Sequence, residues 1–299
     1  FDFHFVSRPL QIQKSRLTFD RFVIYATGCN PVTVDGYVDV ANLSSPRTNL
    51  ALQANNYQVL DAKRKGDSML YGKVLLDLNS TIKGPVSSLV MRGNINLLNG
   101  TDVTYVMVDS PLSVQDRLAD LVEFTSFADT LLVETEEQPQ LALGGMDIIM
   151  NIHMDQTAKV NVDLSPDRSS RIALQGGGDL AFQYTPQGEM SLSGRYTLFG
   201  GTVKYALPVI PLKEFAVNNG SYVEWGGDVM DPNINFKAVE RMRVAVPNEG
   251  GGTRIVNFDV SIEVKNKLNN LELMFNLEAP DDGEVQGQLA AMDDAERSK

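Results

Sequence analysis

The chain is predicted to be an all-β protein, built from a long antiparallel sheet. Apolar residues recur at every second position over most of its length, the period of strands with one buried face. Turn residues punctuate that alternation every 8 to 12 or so positions. A single stretch, Ser110 to Leu132, has helical periodicity instead, so helices are too few to cover the sheet.

From the N-terminus, Phe1, Phe3 and Phe5, then Ile12, Leu17 and Phe19, alternate with polar residues, and Phe22 to Tyr25 is a continuous apolar run. Asp35-Gly36 signals a two-residue hairpin turn. Asn49 to Val59 and Met69 to Ile82 are two further strand regions, separated by the charged loop Asp61 to Asp67. A cadence follows of strand, Lys83-Gly84-Pro85 turn, strand broken by Gly93, Asn99-Gly100 turn and strand, and a comparable one returns from Ile172. Single glycines inside strands predict bulges or bends, and the recurrence predicts a repeat architecture.

Ser110-Pro111 opens the one expected amphipathic helix, whose apolar residues Leu118, Leu121, Val122, Phe124, Ala128, Leu131 and Leu132 fall mostly on one face. Two roles stay open for it: covering part of the sheet, or docking on a partner or membrane surface. From Gly144 the alternation is cleanest. Ile148, Met150, Ile152 and Met154 face one way, then Val160, Val162 and Leu164, with Ile172 and Leu174 returning after Ser165-Pro166-Asp167. Met190, Leu192, Tyr196 and Leu198 continue the pattern, Asn218-Asn219-Gly220 and Gly226-Gly227-Asp228 read as turns between strands, and Ile234 and Phe236 follow. Phe258, Val260, Ile262 and Val264, then Leu271, Leu273, Phe275 and Leu277, close the series. Beyond Ala279 the chain turns acidic, with a short helix expected over Val285 to Met292. The expected divisions are 1–108, a β-repeat region; 109–140, the inserted helix and acidic loop; 141–278, a second β region; and 279–299, the tail.

Composition narrows the function. The 299 residues are 43% hydrophobic and 21% charged, a folded composition, with a net charge of −12. That balance disfavours nucleic acid and an anionic membrane surface. The lone Cys29 excludes an intrachain disulfide and a cysteine-rich zinc site. No run of about 18 apolar residues exists to span a membrane as a helix. The chain starts at Phe1 without an initiator Met and is expected to be a piece of a longer protein, with any anchor outside it.

No chemistry emerges. His4 and His153 lie in different strands, and no Ser sits in a nucleophile elbow. Gly176-Gly177-Gly178 is not followed by a helix, so it fails the test of a phosphate loop. Asp281-Asp282 and Asp293-Asp294 are expected to be solvated. Neither an enzyme nor a cofactor or metal site is expected. What needs explaining is the apolar face. Burying one Val, Leu, Ile or Phe contributes roughly 1.5–3 kcal/mol, so several dozen cannot be left in water. Sheet closing on sheet, a transmembrane barrel and a folded-over sheet holding an apolar ligand all satisfy that requirement. A barrel also wants aromatic girdles, and aromatics are 8% here.

Specific stretches carry a resemblance. Gly194-Arg195-Tyr196-Thr197-Leu198-Phe199-Gly200-Gly201, Phe215 to Val223 and Asp231-Pro232-Asn233-Ile234-Asn235-Phe236-Lys237-Ala238 are similar to the C-terminal domain of the TamB family, the translocation and assembly module subunit of Gram-negative envelopes. Leu271-Glu272-Leu273 running into Ala279-Pro280-Asp281-Asp282 and Gln288-Leu289 resembles that family's last strand and short acidic helix. The match is strongest from Ile148 to Ala291 and only a generic cadence over Val40 to Met107. Its Asn-rich phrasing resembles a Bacteroidetes-type member. Pro208-Val209-Ile210-Pro211 and the Ser110 to Leu132 helix depart from the family pattern.

The resemblance implies a sheet folded into a U-shaped, β-taco-like trough with an apolar interior, in a periplasmic protein tethered to the inner membrane by a segment outside this chain. The alternating apolar positions named above from Ile148 to Leu277, with Leu180 and Phe182, become the groove lining for phospholipid acyl chains. The implied partner is an outer-membrane barrel of the TamA/BamA type. Assistance to outer-membrane protein assembly, and a purely structural β-domain with a sealed core, are the alternatives.

Overall fold

A computed structural model describes residues 3–5, 10–26, 30–65, 68–106, 145–165, 168, 170–205, 213–247, 252–270 and 272–292. The expected helix over Ser110 to Leu132 and the Pro208 to Pro211 insertion lie outside them.

Among the described residues there are seventeen strands in one sheet. They are β1 (Phe3–Phe5), β2 (Gln11–Gln13), β3 (Arg16–Ala26), β4 (Val32–Asp39), β5 (Arg47–Ala62), β6 (Leu70–Pro85), β7 (Val90–Leu97), β8 (Asp102–Val106) and β9 (Asp147–Met154). β10 (Lys159–Asp163), β11 (Arg171–Tyr184), β12 (Met190–Tyr205), β13 (Lys213–Val217), β14 (Tyr222–Gly227), β15 (Asn233–Pro247), β16 (Thr253–Lys267) and β17 (Glu272–Glu278) complete it. Helix α1 (Gly283–Ala291) ends the described chain.

Pairing runs outward from β6. Through β5, β4 and β3 it is an antiparallel meander, with β1 and β2 sharing the far edge of β3. In the other direction β7 and β8 lie end to end along β6, and β9 and β10 lie end to end alongside them. Next come β11 and β12, then β13 and β14 end to end, then β15, β16 and β17.

One seam breaks the antiparallel order. β9 runs parallel to β7 and β10 parallel to β8, with the same residue offset in both halves. A parallel neighbour requires a crossover connection of roughly a dozen residues or more, and the stretch from 107 to 144 supplies that length. Polar side chains stitch the seam. Arg92 meets Asp147 at 2.7 Å, Asn151 Nδ2 donates to Asn94 Oδ1 at 3.1 Å, and Asn161 Nδ2 donates to Asp102 Oδ1 at 2.7 Å.

Three turns interrupt strands without reversing them. Asn99-Gly100 and Asn218-Asn219-Gly220, expected as turns between strands, sit in the turns Leu98–Thr101 and Asn218–Ser221. The third turn is Asp155–Ala158. Each closes with an N–H of its last residue donating to the carbonyl of its first, at 3.2, 3.3 and 3.0 Å respectively. Gly100 and Gly220 both hold φ of +89°, which is why glycine stands there. The two turns that end in a hydroxyl clamp a neighbouring strand in the same way. Leu98 N donates to Leu75 O while Leu75 N donates to Thr101 Oγ1. Asn218 N donates to Lys237 O while Lys237 N donates to Ser221 Oγ.

Asp35-Gly36 is also not a hairpin, since both lie inside β4. Gly36 is there because β5 comes so close that a Cβ would lie 2.1 Å from Asn49 O, while the Asp35 carboxylate accepts from Arg21 N at 2.7 Å.

Candidate functional site

The candidate site is one face of the sheet. Because paired residues point the same way, the pairing carries a side chain's direction from strand to strand. One row reads Phe22, Val34, Leu52, Ser80, Gly93, Met150, Phe182, Leu192 and Gly227. The next reads Ile24, Val32, Ala54, Leu78, Ile95, Ile152, Leu180, Gly194 and Trp225. A third runs Leu76, Leu97, Met154, Gly178, Tyr196, Val223 and Ile234. Beyond it, Phe236 pairs with Val264 and Val264 with Leu273, and Ala238 pairs with Ile262 and Ile262 with Phe275. The face is apolar from β3 to β17 except at the buried Ser80 and at Asn266, the register partner of Ile234.

Glycines on this face mark close approaches. A Cβ on Gly93 would lie 2.5 Å from the Ser80 Cβ, and one on Gly176 3.0 Å from Tyr196 Cζ. Tyr196 thus covers backbone that no side chain can occupy, with its hydroxyl donating to Ala158 O at 3.4 Å, and burial pushes its phenol pKa up.

Burial changes along the face. Met154, Leu164, Ile172, Leu180, Tyr196, Leu198, Phe236, Ile262 and Val264 pack into one cluster, with Leu198 at 0% exposure. Ile152, Val160, Val162, Leu174, Leu192, Ile234 and Val260 are half-buried around it. Ile148 and Met150 belong to a second cluster with Phe182 against it. Met190 and Phe275 are exposed. Phe258 and Leu277 lie against Val285 and Leu289 of α1, so the helix covers that corner of the face. Leu271 lies outside the described residues. From β3 to β7 the face is thinner in buried side chains: Leu50, Leu52, Leu76, Leu78, Ile82, Ile95 and Leu97 are all half-buried.

Helix α1 is pinned by polar contacts. Asp282 caps it, accepting from Glu284 N and Val285 N, and Arg254 Nη2 reaches Asp282 at 3.3 Å and Glu284 at 2.8 Å. The sequence expectation of a short helix over Val285 to Met292 is met, starting two residues early.

Sequence reasoning missed two groups. Val203, Phe215 and Val217 complete the main cluster together with Ala238, which shares a face with Ile234 and Phe236; alternation in Phe215 and Val217 was the available signal. On the opposite, polar face Asp163 is at 0% exposure, accepting from Tyr71 Oη at 2.7 Å with Arg171 Nε at 3.4 Å and Arg168 Nε at 3.6 Å. Nothing in an alternating strand distinguishes such a carboxylate from a solvated one. His153 is exposed, with Nδ1 2.7 Å from Asp179 Oδ1. Among the described residues no group of acids, His or Cys has metal-ligand grouping, and no helix is long and apolar enough to cross a membrane.

These features define a β-sheet protein with one extended apolar face and one polar face. Comparison with known families is specific. The model of the TamB C-terminal domain matches residues 24–292, and the chain belongs to that family of cell-envelope proteins. The match includes the N-terminal strands, where the residues carry only a generic cadence. No curated protein and no solved structure matches the chain.

Proposed function

We propose that the apolar face is the interior of a U-shaped trough that carries phospholipid acyl chains between the inner and outer membranes. The observation that carries this reading is the extent of the apolar face, from β3 to β17, incompletely buried over β3 to β7. A face of that extent in a cell-envelope protein is matched to acyl chains, which need shielding from water along their length. The polar face remains hydrated. The protein is periplasmic on this reading, held at the inner membrane by a segment outside the chain, and catalyses no reaction.

The test places a photo-crosslinking residue at Leu192, Phe182 or Leu78 in cells. Phospholipid adducts are expected there and not at Asn151, which is exposed on the polar face. Adducts from Asn151 alone overturn the reading. Adducts from none of the four positions leave a structural β-domain with a sealed core.

A second reading has its own observation. β17 pairs only with β16 among the described residues, and Met274 and Phe275 on it are exposed. An open edge strand is suited to strand addition, which favours a scaffold for outer-membrane protein assembly with a TamA/BamA-type barrel. Crosslinks from Met274 to a barrel protein, without lipid adducts at Leu192, select it.

A further inference from the structure

One rim of the sheet departs from the acidic character of the chain. The β2–β3 turn, the loop 40–46 and the loop 86–89 lie side by side there. Val40 N donates to Ser15 O at 2.7 Å, and Val86 N donates to Pro46 O at 2.9 Å. None of these connections contains Asp or Glu. Beneath them a cleft of about 370 Å³ is lined by Arg16, Tyr37, Asp39, Arg47 and Lys83.

The charges in this cleft do not cancel. Arg16 stacks over the Tyr37 ring at 4.4 Å and pairs with Asp39 at 3.2 Å, and Asp39 also accepts from Ala41 N at 3.0 Å. Arg47 stands opposite Asp39 in register and attracts its carboxylate without closing to an ion pair, and Lys83 forms none among the described residues. Three cations, Arg16, Arg47 and Lys83, thus line the cleft with one carboxylate, in a chain whose net charge is −12. Two apolar side chains stand on the loops above: Leu43 is 81% exposed and Val86 53%. Single apolar tips on loops are poor material for a protein interface, which wants a contiguous desolvated core. Above a cleft in which cations outnumber carboxylates, they match the layering of a bilayer surface, with phosphate outermost and acyl chain beneath.

We propose that this rim docks on a membrane surface whose lipids carry anionic phosphate headgroups, with Arg47 and Lys83 meeting the phosphates and Leu43 and Val86 entering the headgroup–acyl boundary. A net charge of −12 does not keep this rim from an anionic surface, because screening confines each charge's influence to about 8–10 Å. The proposal goes beyond the acyl-groove reading and does not require it. It sets one border of the apolar face against a bilayer.

The experiment is flotation of the 299-residue chain with vesicles of phosphatidylcholine alone, and of phosphatidylcholine mixed with phosphatidylglycerol. Binding is expected to the mixed vesicles and to weaken with salt. Each cation near such a surface is worth roughly fivefold in affinity, so Arg47→Gln with Lys83→Gln is expected to weaken binding about thirtyfold. Leu43→Ser with Val86→Ser is expected to weaken it while leaving the salt dependence in place. All four positions are outside the clusters, so these variants keep the wild-type unfolding midpoint. Lys73, which pairs in register with Asp61 and Asp102, is the control, and Lys73→Gln binds as wild type. Equal binding to both vesicle types, or full affinity in the Arg47/Lys83 variant, overturns the proposal. Stabilisation by inorganic phosphate without vesicle binding overturns it in favour of a free anion. Crosslinking at Leu192 reports the groove separately, so failure of one reading is not mistaken for failure of the other.

Discussion

Replacing Thr101 by Val tests whether the two hydroxyl-ended turns hold the sheet as their hydrogen bonds indicate. The side chains are nearly equal in size and both are β-branched, so packing around this buried position is preserved. What is lost is the acceptor for Leu75 N, 3.2 Å from Thr101 Oγ1. Leu75 O keeps its other donor, Leu98 N at 2.9 Å, so a single backbone group is orphaned. An unsatisfied buried donor costs about 1–3 kcal/mol, and since Leu75 is half-buried the lower part of that range applies, about 1–2 kcal/mol. Urea titration is expected to show a lower midpoint at unchanged slope, with a Tm drop of a few degrees at about 2–4 °C per kcal/mol. Ser221→Ala orphans Lys237 N in the same way and is expected to cost a similar amount. Thr101→Ser keeps the hydroxyl and is expected to keep most of the stability. If Thr101→Val unfolds at the wild-type midpoint, or Thr101→Ser loses as much as Thr101→Val, the clamp is not what stabilises the bend.

Three other outcomes follow from the same structure. Leu198→Ala, at the fully buried centre of the main cluster, is expected to cost about 3–5 kcal/mol, and Leu78→Ala on the half-buried part of the face less than half of that; equal costs in urea titrations contradict the burial gradient. Arg254→Ala removes the cation between Asp282 and Glu284, and its partial exposure limits the loss to about 0.5–1 kcal/mol. Limited proteolysis should then cut near α1 faster, and an unchanged digestion rate rules out the anchor. The Arg241 hydrogen bond holds the Asp259 carboxyl below its ordinary 3.8, and those of Lys265 and Lys237 hold Glu263 below 4.5. The folded state therefore binds fewer protons, so these contributions are complete above about pH 5 and disappear as pH falls through the lowered values. The denaturation midpoint should fall between pH 5 and pH 3, and Arg241→Gln should make that fall shallower; an equally steep fall removes the Asp259 pair from the account.

Much of the candidate site was legible from alternation. A period of two assigns each residue to a face without knowledge of its neighbours, so Ile148, Met150 and Ile152, or Phe258, Val260 and Ile262, needed no tertiary information to be grouped. Spacing by itself did not reveal how deeply each would be buried. Leu198 and Met190 have the same phase in β12, yet one is sealed and the other exposed, because strand ends have fewer neighbours than strand centres. The helix after β17 was visible for a local reason: Asp282 is a capping residue followed by helix-forming residues, and its side chain accepts from the first free N–H groups.

What the sequence by itself determined is the strand content, the division into an apolar and a polar face, and some of the places where the backbone turns, Asp35-Gly36 inside β4 being an exception. Tertiary structure decided which of those turns reverse the chain. Asn99-Gly100 and Asn219-Gly220 specify only local φ and ψ, and the same dipeptide serves a hairpin or a bend. Here β6 is long enough to pair with β7 and then β8, so continuing along it satisfies more backbone groups than turning back. β12 and β15 together hold β13 and β14 in the same manner. The parallel seam and the buried Asp163 belong to this second category as well, because both depend on strands brought together from distant parts of the chain, which no local pattern encodes.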